Sequence, residues 1–145
     1  MAQAQVFFED VQVDYNIPKL VKDPITETQL VMYAGASGDF NPIHTVHSFG
    51  EKAGFGGVIG HGMLSMAFVG QFMTDWVGIK ALTNLSVQFK AVTKPKDVVT
   101  VEGTVTEKYS KDGENYINCD FMAINQKGDV IVTGKATAVL PSKNG

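Results

Sequence analysis

The stretch HGMLSMAFVGQFMTDWVG, residues 61–78, carries the clearest helical pattern in the chain. Its apolar side chains recur around much of a helical circumference, and the spacing predicts a helix from about Gly62 to Val77. A helix that is apolar on most sides has to be buried by other elements of the fold. The side chains that form the pattern are Met63, Leu64, Ala67, Phe68, Phe72, Met73 and Trp76.

The sequence that follows, from about residue 84 to residue 140, has the pattern of β-strands. The run NLSVQFKAV alternates between apolar and polar side chains. Three further runs, DVVTVEGTVTEKYS, NYINCDFMAINQ and GDVIVTGKATAVL, are joined by the polar turns KDGE and NQKG. Four consecutive strands with short turns predict an antiparallel, twisted sheet. The expected apolar face of the first run consists of Leu85, Val87, Phe89 and Ala91.

The N-terminal part of the chain is mixed. Residues 15–25 look extended, and Thr26 then opens a short helix, because Thr26 and Gln29 form a capping-box pattern. Only the C-terminal sheet is large enough to bury the helix of residues 62–77. We therefore predict an α+β fold, one domain of residues 1–145, in which an antiparallel sheet wraps a long central helix, the arrangement called a hot-dog fold.

The composition argues against several classes of protein. The net charge is −3 and the basic residues are scattered, which disfavours a nucleic-acid-binding role. A single cysteine, Cys119, excludes an internal disulfide bond and a thiolate metal cluster. No apolar run reaches the roughly 18 residues of a membrane span. MAQAQVFFED lacks the order of a signal peptide, so we expect a soluble cytoplasmic protein.

The segment SGDFNPIH, residues 37–44, places two titratable side chains in one stiff turn. Pro42 fixes its own φ angle and disfavours a helical conformation at Asn41. Such a turn can hold Asp39 and His44 in the set relation that an acid–base pair requires. Asp, Asn and Gly are also ordinary turn residues, so the pattern fits equally well a turn in which Asp39 only caps the backbone.

The segment GHGM, residues 60–63, marks the start of the predicted central helix. There the first N–H groups lack helical acceptors and the dipole end is positive. Gly62 would let a substrate carbonyl approach these donors closely, as an oxyanion site requires. For the segment taken alone, the favoured alternative is that Gly62 only lets a loop turn into a tightly packed helix.

Other kinds of site fit the sequence less well. A zinc site would draw on Asp39 and the three histidines, but neither HExxH nor paired cysteines occur. GFGGVIGHG, residues 54–62, matches neither phosphate-binding glycine pattern. Ser37 or Ser65 could serve a hydrolase, but no GxSxG segment surrounds them. His47 and His61 are interpreted as turn and packing residues, although His61 flanks Gly62 and can shape a pocket.

Two segments together, YAGASGDFNPIH (residues 33–44) and HGML (residues 61–64), resemble the hydratase motif of the MaoC-like dehydratases. This family includes (R)-specific enoyl-CoA hydratases and (3R)-hydroxyacyl thioester dehydratases of fatty-acid synthesis. The resemblance implies a hot-dog fold and reversible syn hydration of a trans-2-enoyl thioester to the (3R)-3-hydroxyacyl thioester. It also implies that no metal or redox cofactor is required and that the substrate is carried as a CoA or acyl-carrier-protein thioester.

The resemblance assigns roles to individual residues. It implies that Asp39 and His44 form the catalytic pair and that the Gly62 N–H binds the thioester carbonyl. Asn41 would orient the pair or the water, and His61 is grouped with Gly62 among the substrate-binding residues.

Two positions depart from the family pattern. Val46 stands where many members have an acidic residue, so we expect Ser48 to cap the next helix and that helix to lie around residues 49–53. Gly70 stands where some hydratases have a serine that holds the aspartate, which raises the question of what holds Asp39.

The resemblance also bears on partners and alternatives. The family is generally dimeric, and open sheet edges are usually covered by another subunit, so we expect a homodimer. A heterodimer with a sister subunit is the alternative, because MTDWVG, residues 73–78, is similar to mycolic-acid-type dehydratase subunits. Two other functions remain open: a hot-dog thioesterase, which would release a free thiol, and a non-catalytic subunit that binds acyl thioesters.

Overall fold

The computed structural model describes residues 5–144, in which one five-stranded sheet curves around one side of a central helix. Outside the described residues lie residues 1–4 and residue 145. The first four belong to the segment tested above for a signal peptide, and residue 145 is the end of the predicted domain. The strands are β1 (Asn16–Val21), β2 (Leu82–Phe89), β3 (Thr100–Lys111), β4 (Glu114–Ile124) and β5 (Val130–Leu140). The α-helices are α1 (Glu27–Ser37), α2 (His47–Lys52) and α3 (Gly62–Val77), and Phe8–Asp10 and Pro42–His44 form single turns of 3-10 helix.

The sheet has the strand order β1-β3-β4-β5-β2, and all neighbouring strands are antiparallel. β3, β4 and β5 follow one another through the two polar turns that the sequence predicts. β2 lies beside β5, with Leu82 opposite Ala138 and Phe89 opposite Val132. The alternating pattern predicts β2 itself but not this neighbour, because the connection of residues 90–99 carries the chain from that edge across to β3.

Helix α3 contacts all five strands, which confirms that the sheet wraps the predicted helix. Its exposed side departs from the expectation of burial all round, since Met63 is 56% exposed and Ala67 is exposed too. The sheet covers one side of the helix only. Among the described residues, no helix combines the length and the apolar character that a membrane crossing requires. The buried residues of α3 are Leu64, Ser65, Phe68, Val69, Phe72, Met73 and Val77.

The predicted start of α1 is confirmed by its cap. The Thr26 hydroxyl accepts a hydrogen bond from the Gln29 N–H at 3.0 Å, which satisfies one of the free donors of the first turn. The helix runs for 11 residues to Ser37, further than the short helix expected. Strand β1 occupies part of the extended segment, and its register shifts between Ile17 and Leu20.

The predicted start of α2 is wrong. The helix begins at His47, Val46 is its N-cap residue, and no side chain caps it, Ser48 included. The reason is the turn of Pro42–His44, which leads almost directly into the helix: the Val46 N–H donates to the Pro42 carbonyl at 2.8 Å. The chain therefore enters α2 before Ser48 is reached.

We expect Gly134→Ala to destabilise the sheet. An added Cβ would lie 2.2 Å from the Ser86 carbonyl oxygen and 2.6 Å from the Phe121 ring, which lies over this position. The free energy of unfolding, measured by urea denaturation, should fall by about 1–3 kcal/mol. The matched control is Gly35→Ala in α1, where an added Cβ meets nothing within 4 Å. It should gain about 0.5–1 kcal/mol, because alanine favours a helix over glycine; equal shifts for both variants would contradict the packing of Phe121.

Candidate active site

The turn that carries Asp39 begins where α1 ends. Gly38 follows Ser37 with φ of 76°, the left-handed conformation that glycine adopts without strain, and its N–H donates to the Ala34 carbonyl. The chain thus turns sharply away from α1. It re-enters helical geometry only at Pro42–His44, for which Asn41 is the N-cap residue.

Three hydrogen bonds from side chains to the backbone hold this turn. The Ser37 hydroxyl accepts from the Asp39 N–H at 3.2 Å, and Asp39 Oδ1 accepts from the Asn41 N–H at 3.2 Å. Asn41 Oδ1 in turn accepts from the Ile43 N–H at 3.1 Å. Each acceptor lies two residues before its donor, so the segment supplies its own backbone with partners. Asp39 therefore caps the turn with one carboxylate oxygen and keeps the other free.

His44 is held by a contact from another part of the chain. Its Nδ1 lies 2.7 Å from the Ile59 carbonyl oxygen, and because a carbonyl only accepts, Nδ1 carries the proton. Nε2 then faces Asp39 Oδ2 at 3.7 Å, beyond direct hydrogen-bond distance. The His44 side chain is 11% exposed and that of Asp39 is 52% exposed. The pair therefore joins a fixed imidazole to a carboxylate that is open to solvent.

The His61 ring lies directly against this pair. It stacks on the His44 ring with a centroid distance of 3.8 Å and an angle of 23° between the planes. The Tyr33 ring meets it edge-on at 4.8 Å, and Nε2 lies 3.3 Å from the backbone oxygen of Asp39. The sequence predicts that His61 is a packing residue that can shape a pocket next to Gly62. In the structure its ring covers one face of the His44 ring.

His61 is buried and its pKa is lowered. Burial is the larger cause, because it penalises the charged ring, and the neighbouring His44 acts in the same direction. Since the Asp39 carbonyl accepts, Nε2 carries the proton in the neutral ring. Nδ1 is buried with no hydrogen-bond partner among the described residues. The ring therefore stays neutral to a lower pH than an ordinary histidine.

The N-terminus of α3 lies next to these rings. The Gly60 N–H donates to the Thr93 carbonyl at 2.7 Å, which ties the segment before the helix to the connection between β2 and β3. Gly62 is the first residue of the helix, so its N–H has no acceptor within the helix. The Phe89 ring at the end of β2 lies 3.4 Å from the position of an added Cβ on Gly62.

The position of Gly70 answers the question raised by the missing serine. A Cβ at position 70 would have only the Leu85 side chain within 4 Å, at 3.8 Å, so a side chain there would point toward β2. Asp39 is held instead through Oδ1 by the Asn41 N–H. In this chain the turn itself positions the carboxylate.

Other candidate residues lie elsewhere. His47 is exposed, and its Nε2 lies 3.1 Å from Glu27 Oε1, so it joins α2 to α1. Ser65 is buried within α3. Sequence reasoning missed Ile59 and Tyr33. Ile59 acts through its backbone carbonyl, which no side-chain pattern can indicate, and Tyr33 acts through a ring contact between distant segments.

Asp39, His44 and His61 offer ligand atoms within 4.8 Å of one another. The two rings are nearly parallel and stacked, however, and the lone pairs of imidazole lie in the ring plane. A zinc ion about 2.0–2.1 Å from both nitrogens would lie well outside both planes. The geometry of this cluster therefore suits proton transfer rather than shared metal coordination.

Several known proteins resemble this chain in sequence and in fold. A family model described as MaoC like domain matches residues 11–124. An (R)-specific enoyl-CoA hydratase of Rhodospirillum rubrum is 30% identical, over 94% of this chain and 93% of the relative. A 3-hydroxybutyryl-CoA dehydratase of Methylorubrum extorquens is 26% identical, over 95% of this chain and 86% of the relative. The structure of R-hydratase PhaJ1 from Pseudomonas aeruginosa, unliganded, has a TM-score of 0.83 and 26% identity, covering 96% of this chain and 88% of that one. The predicted hot-dog fold is confirmed.

We expect NMR to show an unusual titration for His61. Its lowered pKa predicts a midpoint below the ordinary value of about 6.5. Long-range ¹H–¹⁵N spectra recorded between pH 4.5 and 8 should also show the tautomer protonated at Nε2. The His61 signal is assigned by its loss in the His61→Gln variant. A titration midpoint above the ordinary histidine value would contradict the buried, neutral ring.

Proposed function

This chain belongs to the MaoC-like domain family, and we propose that it is a hydro-lyase that interconverts trans-2-enoyl and (3R)-3-hydroxyacyl thioesters. The observation that carries the proposal is the pair of Asp39 and His44, with Nε2 of an anchored imidazole 3.7 Å from a free carboxylate oxygen. The relatives named as an (R)-specific enoyl-CoA hydratase and a 3-hydroxybutyryl-CoA dehydratase support the same reaction class.

The pair can perform both proton transfers of the reaction. In hydration, an O–H bond of water breaks, the water oxygen bonds to C3 of the enoyl group, and a proton bonds to C2. One member of the pair removes the proton from water while a proton is delivered to C2, and dehydration reverses these steps. Because Asp39 and His44 lie side by side, both additions take place on one face of the double bond, as syn hydration requires.

The start of α3 supplies the electrostatic part of the proposal. As water adds to C3, negative charge develops on the thioester oxygen. The free Gly62 N–H and the positive end of the helix dipole stabilise that charge if the thioester carbonyl is bound there. Asn41 contributes through the turn, since its backbone and side chain both hold the segment between Asp39 and His44.

No metal or redox cofactor has a step in this mechanism. Each step is a proton transfer or the addition of water to a polarised double bond, and the side chains and backbone donors named above perform all of them. The substrate is an acyl thioester, for which CoA is the carrier that the named relatives support. The metabolic role that we propose is accordingly in fatty-acid metabolism, and a cytoplasmic location stays a prediction.

We expect His44→Ala and Asp39→Asn to lower kcat for crotonyl-CoA hydration by about 10²–10⁴-fold each, the range that a positioned acid or base contributes. The decrease in enoyl absorbance measures the rate, and chiral chromatography of the product tests for the (3R) alcohol. Chain lengths from C4 to C12 define the preferred acyl group.

The control for these variants is His47→Gln, which changes an exposed histidine outside the candidate site and should hydrate at the wild-type rate. Thermal unfolding of all three variants checks that the fold is kept. Release of free thiol by the wild-type protein, with no 3-hydroxyacyl thioester formed, would overturn the hydratase assignment in favour of a thioesterase. Wild-type rates in both site variants would overturn the assignment of the pair.

The exposed side of α3 and the edge of the sheet support a homodimer. Strand β2 is at one edge, and among residues 5–144 it pairs with β5 alone. Met63 and Ala67 are exposed on α3, the helix whose Gly62 and Gly70 lie next to β2, and the Phe89 ring at the end of β2 is also half-exposed. A second copy that paired with β2 would cover the free backbone groups and these apolar side chains together.

Ala67→Glu should weaken this dimer, because it places a charge in the middle of the proposed contact. Size-exclusion chromatography with light scattering should give twice the chain mass for the wild type and a shift toward the single-chain mass for the variant. The matched control is Met122→Glu on β4, an exposed position that β5 separates from β2, which should keep the wild-type mass. An active wild-type protein at the mass of one chain would contradict the dimer.

A further inference from the structure

We propose that His61 is a positioning residue for the hydration reaction, whose ring fixes the His44 imidazole and the Asp39 backbone relative to one another. The inference rests on the proposed function and adds to it a residue that acts through both members of the pair. It is carried by three contacts of a single buried side chain.

The first observation is that the His61 side chain does not cap helix α3. His61 is the N-cap residue of α3, yet it makes no side-chain capping bond to the helix. Serine, threonine, aspartate and asparagine are preferred at this position because their side chains satisfy the free N–H groups. The His61 side chain instead turns back toward the segment of residues 33–44, where it contacts Tyr33, Asp39 and His44.

The second observation is how the His44 ring is restrained. The hydrogen bond from Nδ1 to the Ile59 carbonyl, 2.7 Å long, fixes the direction of the ring within its own plane. It leaves the ring able to tilt about that bond. The stacked His61 ring, 3.8 Å away, covers one face and blocks the tilt. The Tyr33 ring packs edge-on against His61 and limits its movement in turn.

The third observation links His61 to the other member of the pair. Its Nε2 lies 3.3 Å from the Asp39 backbone oxygen, in the turn that carries the carboxylate. One ring therefore contacts the imidazole and the backbone of Asp39 at the same time. This contact joins two segments that are 22 residues apart in the sequence.

The charge state of His61 suits this role. Burial lowers its pKa, so at neutral pH the ring carries no charge. His44 can then accept a proton during the reaction without a second cation stacked against it. A protonated neighbour at 3.8 Å would oppose that transfer, because like charges at contact distance repel.

The test is a double-mutant cycle with His44→Ala, measured by hydration of crotonyl-CoA. His61→Gln keeps an N–H donor but removes the ring, and His61→Phe keeps the stacked ring but removes the donor to Asp39. We expect kcat to fall by about 10²-fold in His61→Gln, the scale of loss that small misplacements of reacting groups cause. His61→Phe should lose about tenfold, because its ring still restrains His44. KM should stay within about threefold for both, since the loss is in the transition state.

In the His44→Ala background, each His61 substitution should change kcat by less than about threefold, because the pair acts as a unit. A purely structural role predicts the same loss in both backgrounds, and that result would overturn the proposal. Rates within about threefold of wild type in both single variants would overturn it too. If His61→Gln does not fold, as near-ultraviolet circular dichroism would show, His61→Phe decides by the same criteria. Failure of the proposed function is a separate outcome, in which the wild-type protein itself does not hydrate crotonyl-CoA. Failure of the positioning role instead requires an active wild-type protein and the variant rates given above.

Discussion

Helix α3 buries one apolar face against all five strands, and this burial determines where its N-terminus lies. The hydrogen bond from the Gly60 N–H to the Thr93 carbonyl then ties the segment before the helix to the connection between β2 and β3. The free N–H groups of the first turn therefore have a fixed position at the edge of the core. A substrate group that binds these N–H donors has to lie at this point, because the packing of α3 fixes their position. The turn of residues 37–44 therefore has to lie close to it to act on the same substrate.

Two kinds of interaction bring the acid–base residues to that point. The turn of residues 37–43 is organised locally, since each acceptor side chain serves an N–H two residues later. The imidazole of His44 is organised by distant groups, namely the Ile59 carbonyl and the His61 ring. Both distant groups belong to the segment that leads into α3. The Asp39 carboxylate is thus positioned by its own turn, and the His44 imidazole by the segment that leads into α3.

The sequence is a good guide wherever the determining contacts are local. The apolar spacing predicts α3, the Thr26 cap predicts the start of α1, and the polar turns predict β3, β4 and β5. Contacts between distant segments leave no such pattern, which is why no feature of the sequence predicts the pairing of β2 with β5. The site shows the same division: its titratable residues stand out in the motif, whereas the stacking of His61 on His44 depends on how two segments pack.

The two edges of the sheet differ in composition. Strand β1 contains Pro18, which lacks an N–H, within an irregular register, and Lys19 beside it is charged. Such an edge is a poor template for another strand, whereas β2 carries neither device. A contact between two copies of the same edge has twofold symmetry and closes at two chains, while contacts between unlike edges can continue without end. Pro18 and Lys19 thus make β1 the less favourable of the two edges for pairing with the strand of another chain.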